Sequence, residues 1–136
     1  MVRPLKNRTV SGPPKMVGFK PYGIYLNAKK PLRLKFEEYE SINLVLHKNL
    51  SQEDAAAEMR VSRPTLTRIY NKALKIIAKA LVEGRTIEIE GGNYQLDDDW
   101  YRCKKCFKLI QGIESHIKCE NCTSYNESEL INLNRL

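Results

Sequence analysis

The stretch SQEDAAAEMRVSRPTLTRIY, Ser51 to Tyr70, reads as a helix, a stop and a second helix. Ser51 can accept a hydrogen bond from the amide three residues on, and Asp54 sits where an acid can return it, a capping-box arrangement. Ser62 repeats the device, and Pro64 is tolerated because first-turn amides have no intrahelical partner. The first of these helices is predicted over about 52–59 and the second from Ser62 to about Val82, where Gly84 stops it. A break of this type lets two helices cross steeply, with the second projecting from the surface.

The apolar positions fit that geometry. Ala55, Met59, Val61, Leu66 and Ile69 can meet between the helices, and Ala56 is small where the backbones approach most closely. Leu66, Ile69, Ala73, Ile76, Ile77 and Ala80 form the apolar face of the longer helix. On the outside of its start remain Ser62, Arg63, Thr65, Thr67, Arg68, Asn71 and Lys72, groups suited to base edges and phosphates in a major groove. A three-helix bundle with an incidentally basic face is the plain alternative. Five bases against one acid between Ser62 and Glu83 favour duplex DNA as the partner.

Upstream, Tyr39, Ile42, Val45 and Leu46 recur at helical spacing, with Glu37, Glu38 and Glu40 early, where the helix dipole favours acids. This predicts a helix over about 34–47. Downstream, RTIEIEGGNYQL alternates and turns at Gly91-Gly92, the pattern of a short β-hairpin. Residues 1–31 hold Pro4, Pro13, Pro14, Pro21 and Pro31, which predicts an extended arm without helix or strand, its apolar FKPYGIYL folding back on the domain.

The net charge of +7 is concentrated in that arm: residues 1–35 carry nine Lys or Arg and no acid. Such a segment suits a polyanion. Arg3, Lys6 and Arg8 are its candidate DNA contacts, able to enter an adjacent minor groove.

Residues 97–136 hold all four cysteines, as Cys103-x2-Cys106, twelve residues, then Cys119-x2-Cys122. Each pair can chelate from a tight turn, and together they complete a tetrahedral tetrathiolate site. This predicts a zinc ribbon with one structural Zn²⁺, because so short a segment cannot bury a sufficient core without metal. Iron fits less well, since the proline and glycine of rubredoxin-like knuckles are missing. His116 is expected to be a surface or strand residue, and Asp97-Asp98-Asp99 a solvated linker.

EEYESINLVLHKNLSQEDAAAEMRVSRPTLTRIYNKA, followed by ALVEGRTIEIEGGNYQL, resembles an uncharacterised prokaryotic family of predicted DNA-binding proteins. Their helix-turn-helix is similar to region 4 of the housekeeping sigma factors. The early RP, the basic run and FKPYGI in the arm extend the resemblance over about residues 1–96. It implies a regulator-like DNA-binding domain. The family favours glycine in the turn, where this chain has Arg60; Pro64 is a milder departure.

The expectation is a mainly α protein: a basic arm (1–31), a three-helix helix-turn-helix domain with a β-hairpin (32–96) and a small β zinc ribbon with a tail (97–136). A cytoplasmic transcriptional regulator without catalytic machinery follows, since there is no apolar leader, membrane span, Ser/His/Asp constellation or phosphate loop. Homodimerisation through Ile76 to Leu81 and contact with RNA polymerase stay open. So do two other classes, an adaptor docking on the polymerase and an RNA-binding protein.

Overall fold

The computed structural model describes residues 8–25, 29–92, 94–96, 99–104, 107, 109–111 and 130–135. Three helices follow the caps read from the sequence. Helix α1 (Phe36–Ile42) continues into a π-helical turn (Asn43–His47), α2 spans Gln52–Met59 and α3 spans Arg63–Glu83. Ser51 Oγ accepts from the Asp54 amide at 3.1 Å, and Ser62 Oγ from the Thr65 amide at 3.4 Å. Gly84, at φ 64° and ψ 44°, ends α3 in the left-handed conformation that glycine adopts without steric cost. Leu34 and Lys35, expected in the first helix, instead end a strand and form the N-cap.

Among the described residues there are also eight short strands: β1 (Arg8–Val10), β2 (Gly18–Phe19), β3 (Leu32–Leu34), β4 (Ile87–Ile89), β5 (Tyr94–Leu96), β6 (Trp100–Cys103), β7 (Leu109–Gln111) and β8 (Leu130–Asn132). β4 is the centre of a three-stranded sheet, antiparallel to β2 and parallel to β3. Close approach here requires glycine, because a Cβ at Gly18 would collide with the Ile87 carbonyl oxygen. β5 pairs in parallel with β1, and β6 is the centre of an antiparallel sheet with β7 and β8.

Two expectations are corrected. The hairpin does not form, because β2 and β3 occupy both hydrogen-bonding edges of β4 and leave none for β5. The proline-rich arm is also not simply extended over its described residues. Pro13, Pro14, Pro21 and Pro31 lie between β1, β2 and β3, which are two or three residues long and still pair.

Among the described residues the core shows three clusters. Leu44, Ala55, Ala56, Met59 and Leu66 pack between the π turn, α2 and α3. Leu34, Phe36, Ala73 and Ile89 form a second cluster beneath the β2–β4–β3 sheet, joined by Ile42 and Ile76. Val10, Leu96 and Leu133 form a third, against which Trp100, Leu109 and Ile131 pack. Tyr94 borders the last two: its ring lies 4.6 Å from that of Phe36, and its hydroxyl donates to the Leu133 carbonyl at 2.6 Å.

Buried polar groups tie the arm to the rest. Glu40, 1% exposed, accepts from the Ser11 amide at 2.6 Å and from Asn43 Nδ2 at 3.0 Å. Arg102 donates to the carbonyls of Pro14 at 2.7 Å, Lys15 at 3.3 Å and Phe107 at 3.2 Å. Burial pulls this guanidinium below its ordinary pKa. Pro14 and Lys15 in the arm are thus held by Arg102 of β6, although they are far apart in the chain.

Candidate nucleic-acid interface

The turn between α2 and α3 determines how α3 is presented. The Arg60 amide donates to the Ala57 carbonyl at 3.2 Å and the Val61 amide to that of Ala56 at 3.0 Å. This six-to-one and five-to-two pair is a Schellman ending, and it places Arg60 at φ 55° and ψ 44°. The left-handed position is therefore occupied by an arginine. Val61 then packs on the first cluster, where it fixes the direction in which α3 leaves.

Leu66 and Ala73 are buried on one side of α3, so the opposite side of its first turns faces outward. Ser62, Arg63, Arg68, Asn71 and Lys72 are exposed and Thr65 is half-buried. Ser62 Oγ donates to Thr65 Oγ1 at 2.8 Å, and Arg68 Nη2 donates to the same oxygen at 3.3 Å. These bonds order the first turn and hold the Arg68 guanidinium close to it. Arg63 Nη1 lies 3.5 Å from Glu53 Oε1 in a pair open to solvent, an interaction worth little that a competing anion can displace.

Thr67 does not join this outward set. It is half-buried, and its hydroxyl donates to Gln52 Oε1 at 2.5 Å, a bond that locks α2 to α3. At this position the groove contact read from the sequence becomes an internal strut. Ile69, expected between the helices, lines a surface cleft instead.

Of the arm residues, Arg3 and Lys6 lie outside the described residues. Arg8 is on β1, its Nε 3.2 Å from Glu37 Oε2 with both side chains largely buried. It shares with Arg68 and Lys72 a cleft of about 210 Å³. Sequence reasoning missed Lys35 in the same cleft, and it took Glu37 and Glu40 for dipole acids when they anchor the arm. The usable signal was charge, since the EEYE run directly follows thirty-six residues without an acid.

The segment proposed for dimerisation divides. Ile76 joins the second cluster, while Ile77, Ala80 and Leu81 line an open apolar groove of about 460 Å³ together with Phe19, Tyr39 and Ile87.

Of the metal candidates, Cys106, Cys119 and Cys122 lie outside the described residues, as do His116, Asp97 and Asp98. Cys103 is buried at the end of β6. The Phe107 amide donates to the Cys103 carbonyl at 3.0 Å, and Phe107 has φ 61°. That hydrogen bond brackets the C-x2-C spacing, a spacing that suits a pair of thiolate ligands. Among the described residues, no group of three or more His, Cys, Asp or Glu is gathered as a metal site, and no helix is long and apolar enough to cross a membrane.

The chain is 46% identical over 96 residues to a UPF0251 protein of Caldanaerobacter subterraneus subsp. tengcongensis, covering 71% of this chain and 81% of the relative. It is 35% identical over 132 residues to one of Chloroherpeton thalassium, covering 96% and 87%. A relative in Methanothermobacter thermautotrophicus is 35% identical over 127 residues, covering 93% of this chain and 66% of that protein. No solved structure matches. A family model described as a protein of unknown function, DUF134, matches residues 1–97, the arm and helices together, and the chain belongs to that family.

Proposed function

We propose that this protein binds duplex DNA sequence-specifically, with α2 and α3 as a helix-turn-helix and α3 as its reading helix, and that it acts as a transcriptional regulator. One observation carries the reading. The first turns of α3 present Ser62, Arg63, Arg68, Asn71 and Lys72 to solvent, while Leu66 and Ala73 hold the helix in the core. Arginine can pair bidentately with guanine and asparagine with adenine, so the exposed side chains are of the types that read base edges. The bases that follow, Lys75 and Lys79, are also exposed and suit phosphates.

The test begins with selection of bound sites from a random duplex library. Removing a base-reading side chain, as in Arg63→Ala or Asn71→Ala, should cost about 1–3 kcal/mol on the selected site and much less on random duplex. Equal affinity of both variants and wild type for the selected site would refute the reading-helix assignment. Preference for structured RNA over duplex would favour the RNA-binding class.

The cysteine segment is proposed to hold one structural Zn²⁺ through Cys103, Cys106, Cys119 and Cys122. The burial of Cys103 and the hydrogen bond from the Phe107 amide to its carbonyl support this. Bound there, the ion would supply folding energy, since four cysteines leave no open coordination position for chemistry. Elemental analysis of the purified native chain should find one zinc per protein, and its absence would remove this part of the reading.

A further inference from the structure

The cleft between β1 and the flank of α3 is lined by four bases, Arg8, Lys35, Arg68 and Lys72, and by two acids, Glu37 and Glu38. Both acids are internal, 4% and 2% exposed. Glu37 is paired with Arg8, and Glu38 Oε1 is turned to the start of α1, accepting from the Lys35 amide at 2.9 Å. The three other bases behave differently. Among the described residues Lys35, Arg68 and Lys72 form no salt bridge. Arg68 and Lys72 are one helical turn apart on the same edge of α3, and Lys35 approaches that edge from the start of α1.

We propose that this cleft is a phosphate seat, gripping a backbone phosphodiester of the duplex that α3 reads, with Lys35 and Lys72 as its contacts. The inference rests on the DNA-binding reading above and adds to it a residue outside the helix–turn–helix. The chemistry favours a phosphodiester over a base edge. Lysine offers a mobile point charge without the planar fork that distinguishes bases, and the seat lies beside the outward reading face, where a strand bordering the groove would run. The Arg8–Glu37 pair has a separate task. As a largely buried ion pair it is already neutralised within the fold, which leaves the anion to Lys35 and Lys72.

The experiment measures affinity of the full chain for the selected site and for random duplex at two or more salt concentrations. Lys35→Gln and Lys72→Gln should each weaken both duplexes by the same several-fold factor and reduce the salt slope by about 0.9. Lys20→Gln, at the apolar groove on the other end of α3, should leave both unchanged. Lys72→Gln lies on an exposed helix surface, so it retains the fold even if Lys35→Gln disturbs the start of α1. Unchanged affinity and slope in Lys35→Gln and Lys72→Gln, with Arg63→Ala still impaired on the selected site, would overturn the seat and leave the reading helix standing. A loss confined to the selected site would assign these lysines to base reading and overturn it too. Binding of inorganic phosphate that Lys35→Gln abolishes without any change in duplex affinity would identify a free-anion site instead. If wild type binds no duplex, the DNA reading fails first and the seat fails with it.

Discussion

Arg60 occupies a backbone conformation that costs a side-chain-bearing residue on the order of 1 kcal/mol, and it does so at an exposed turn. Glycine removes that strain but adds freedom to the unfolded chain, so Arg60→Gly should raise stability by a few tenths to about 1 kcal/mol. A shift of the denaturant midpoint at unchanged slope would check it. Glu40 presents the opposite case, a buried carboxylate justified by its partners. Glu40→Ala should cost about 2 kcal/mol, since charge-assisted bonds to the Ser11 amide and Asn43 are lost together. Glu40→Gln keeps an acceptor oxygen and should cost less, and the same denaturation measurement separates the two variants. The Arg60 consequence was visible in the sequence, because a non-glycine residue stood in the turn. The Glu40 consequence was not, because nothing local to EEYE names Ser11, 29 residues away, as the partner.

At the scale of elements, legibility followed the range of the forces involved. The helices were readable because Ser51, Ser62 and Gly84 act on amides and carbonyls within one turn and because apolar spacing marks the buried face. The strands were not. Three residues with a partner 86 positions away, as Arg8 has in Tyr94, carry no local signal of the pairing. The supposed hairpin shows the same limit: alternation in TIEIE identified β4, but the competition for its edges was decided by β2 and β3. β5 offers a test through Tyr94. Burial raises its phenol pKa above the ordinary 10.0. A raised folded pKa gives stability that is complete below the unfolded value and is lost as pH rises through the folded one. Tyr94→Phe should therefore cost about 1 kcal/mol at neutral pH, by loss of the bond to the Leu133 carbonyl. It should also lessen the fall in stability above pH 10, as alkaline thermal melts would show.

At the scale of the whole molecule, the three segments expected from composition share cores and hydrogen bonds. Val10 comes from the arm, Leu96 from the strand after the helices and Leu133 from the C-terminal region, and they form one cluster. Arg102 adds a clamp onto Pro14 and Lys15. One cooperative unfolding transition is the expected result. Trp100 is the sole tryptophan and sits on β6, so its fluorescence reports the C-terminal sheet while far-ultraviolet circular dichroism reports chiefly the helices. The two transitions should coincide, and a fluorescence change completed before the helices melt would show a separately folding C-terminal part. The parallel pairing of β1 with β5 has a further consequence, for the order of events during synthesis. Arg8–Val10 leaves the ribosome with its partner not yet made, and at 5–20 residues per second Tyr94–Leu96 follows roughly 4 to 17 s later. In that interval α1, α2 and α3 can already close around Leu44, Met59 and Leu66, for which every contributing residue is present. β1 is thus incorporated long after it is translated, and a ribosome paused before residue 94 holds a nascent chain in which the edge of β1 is open.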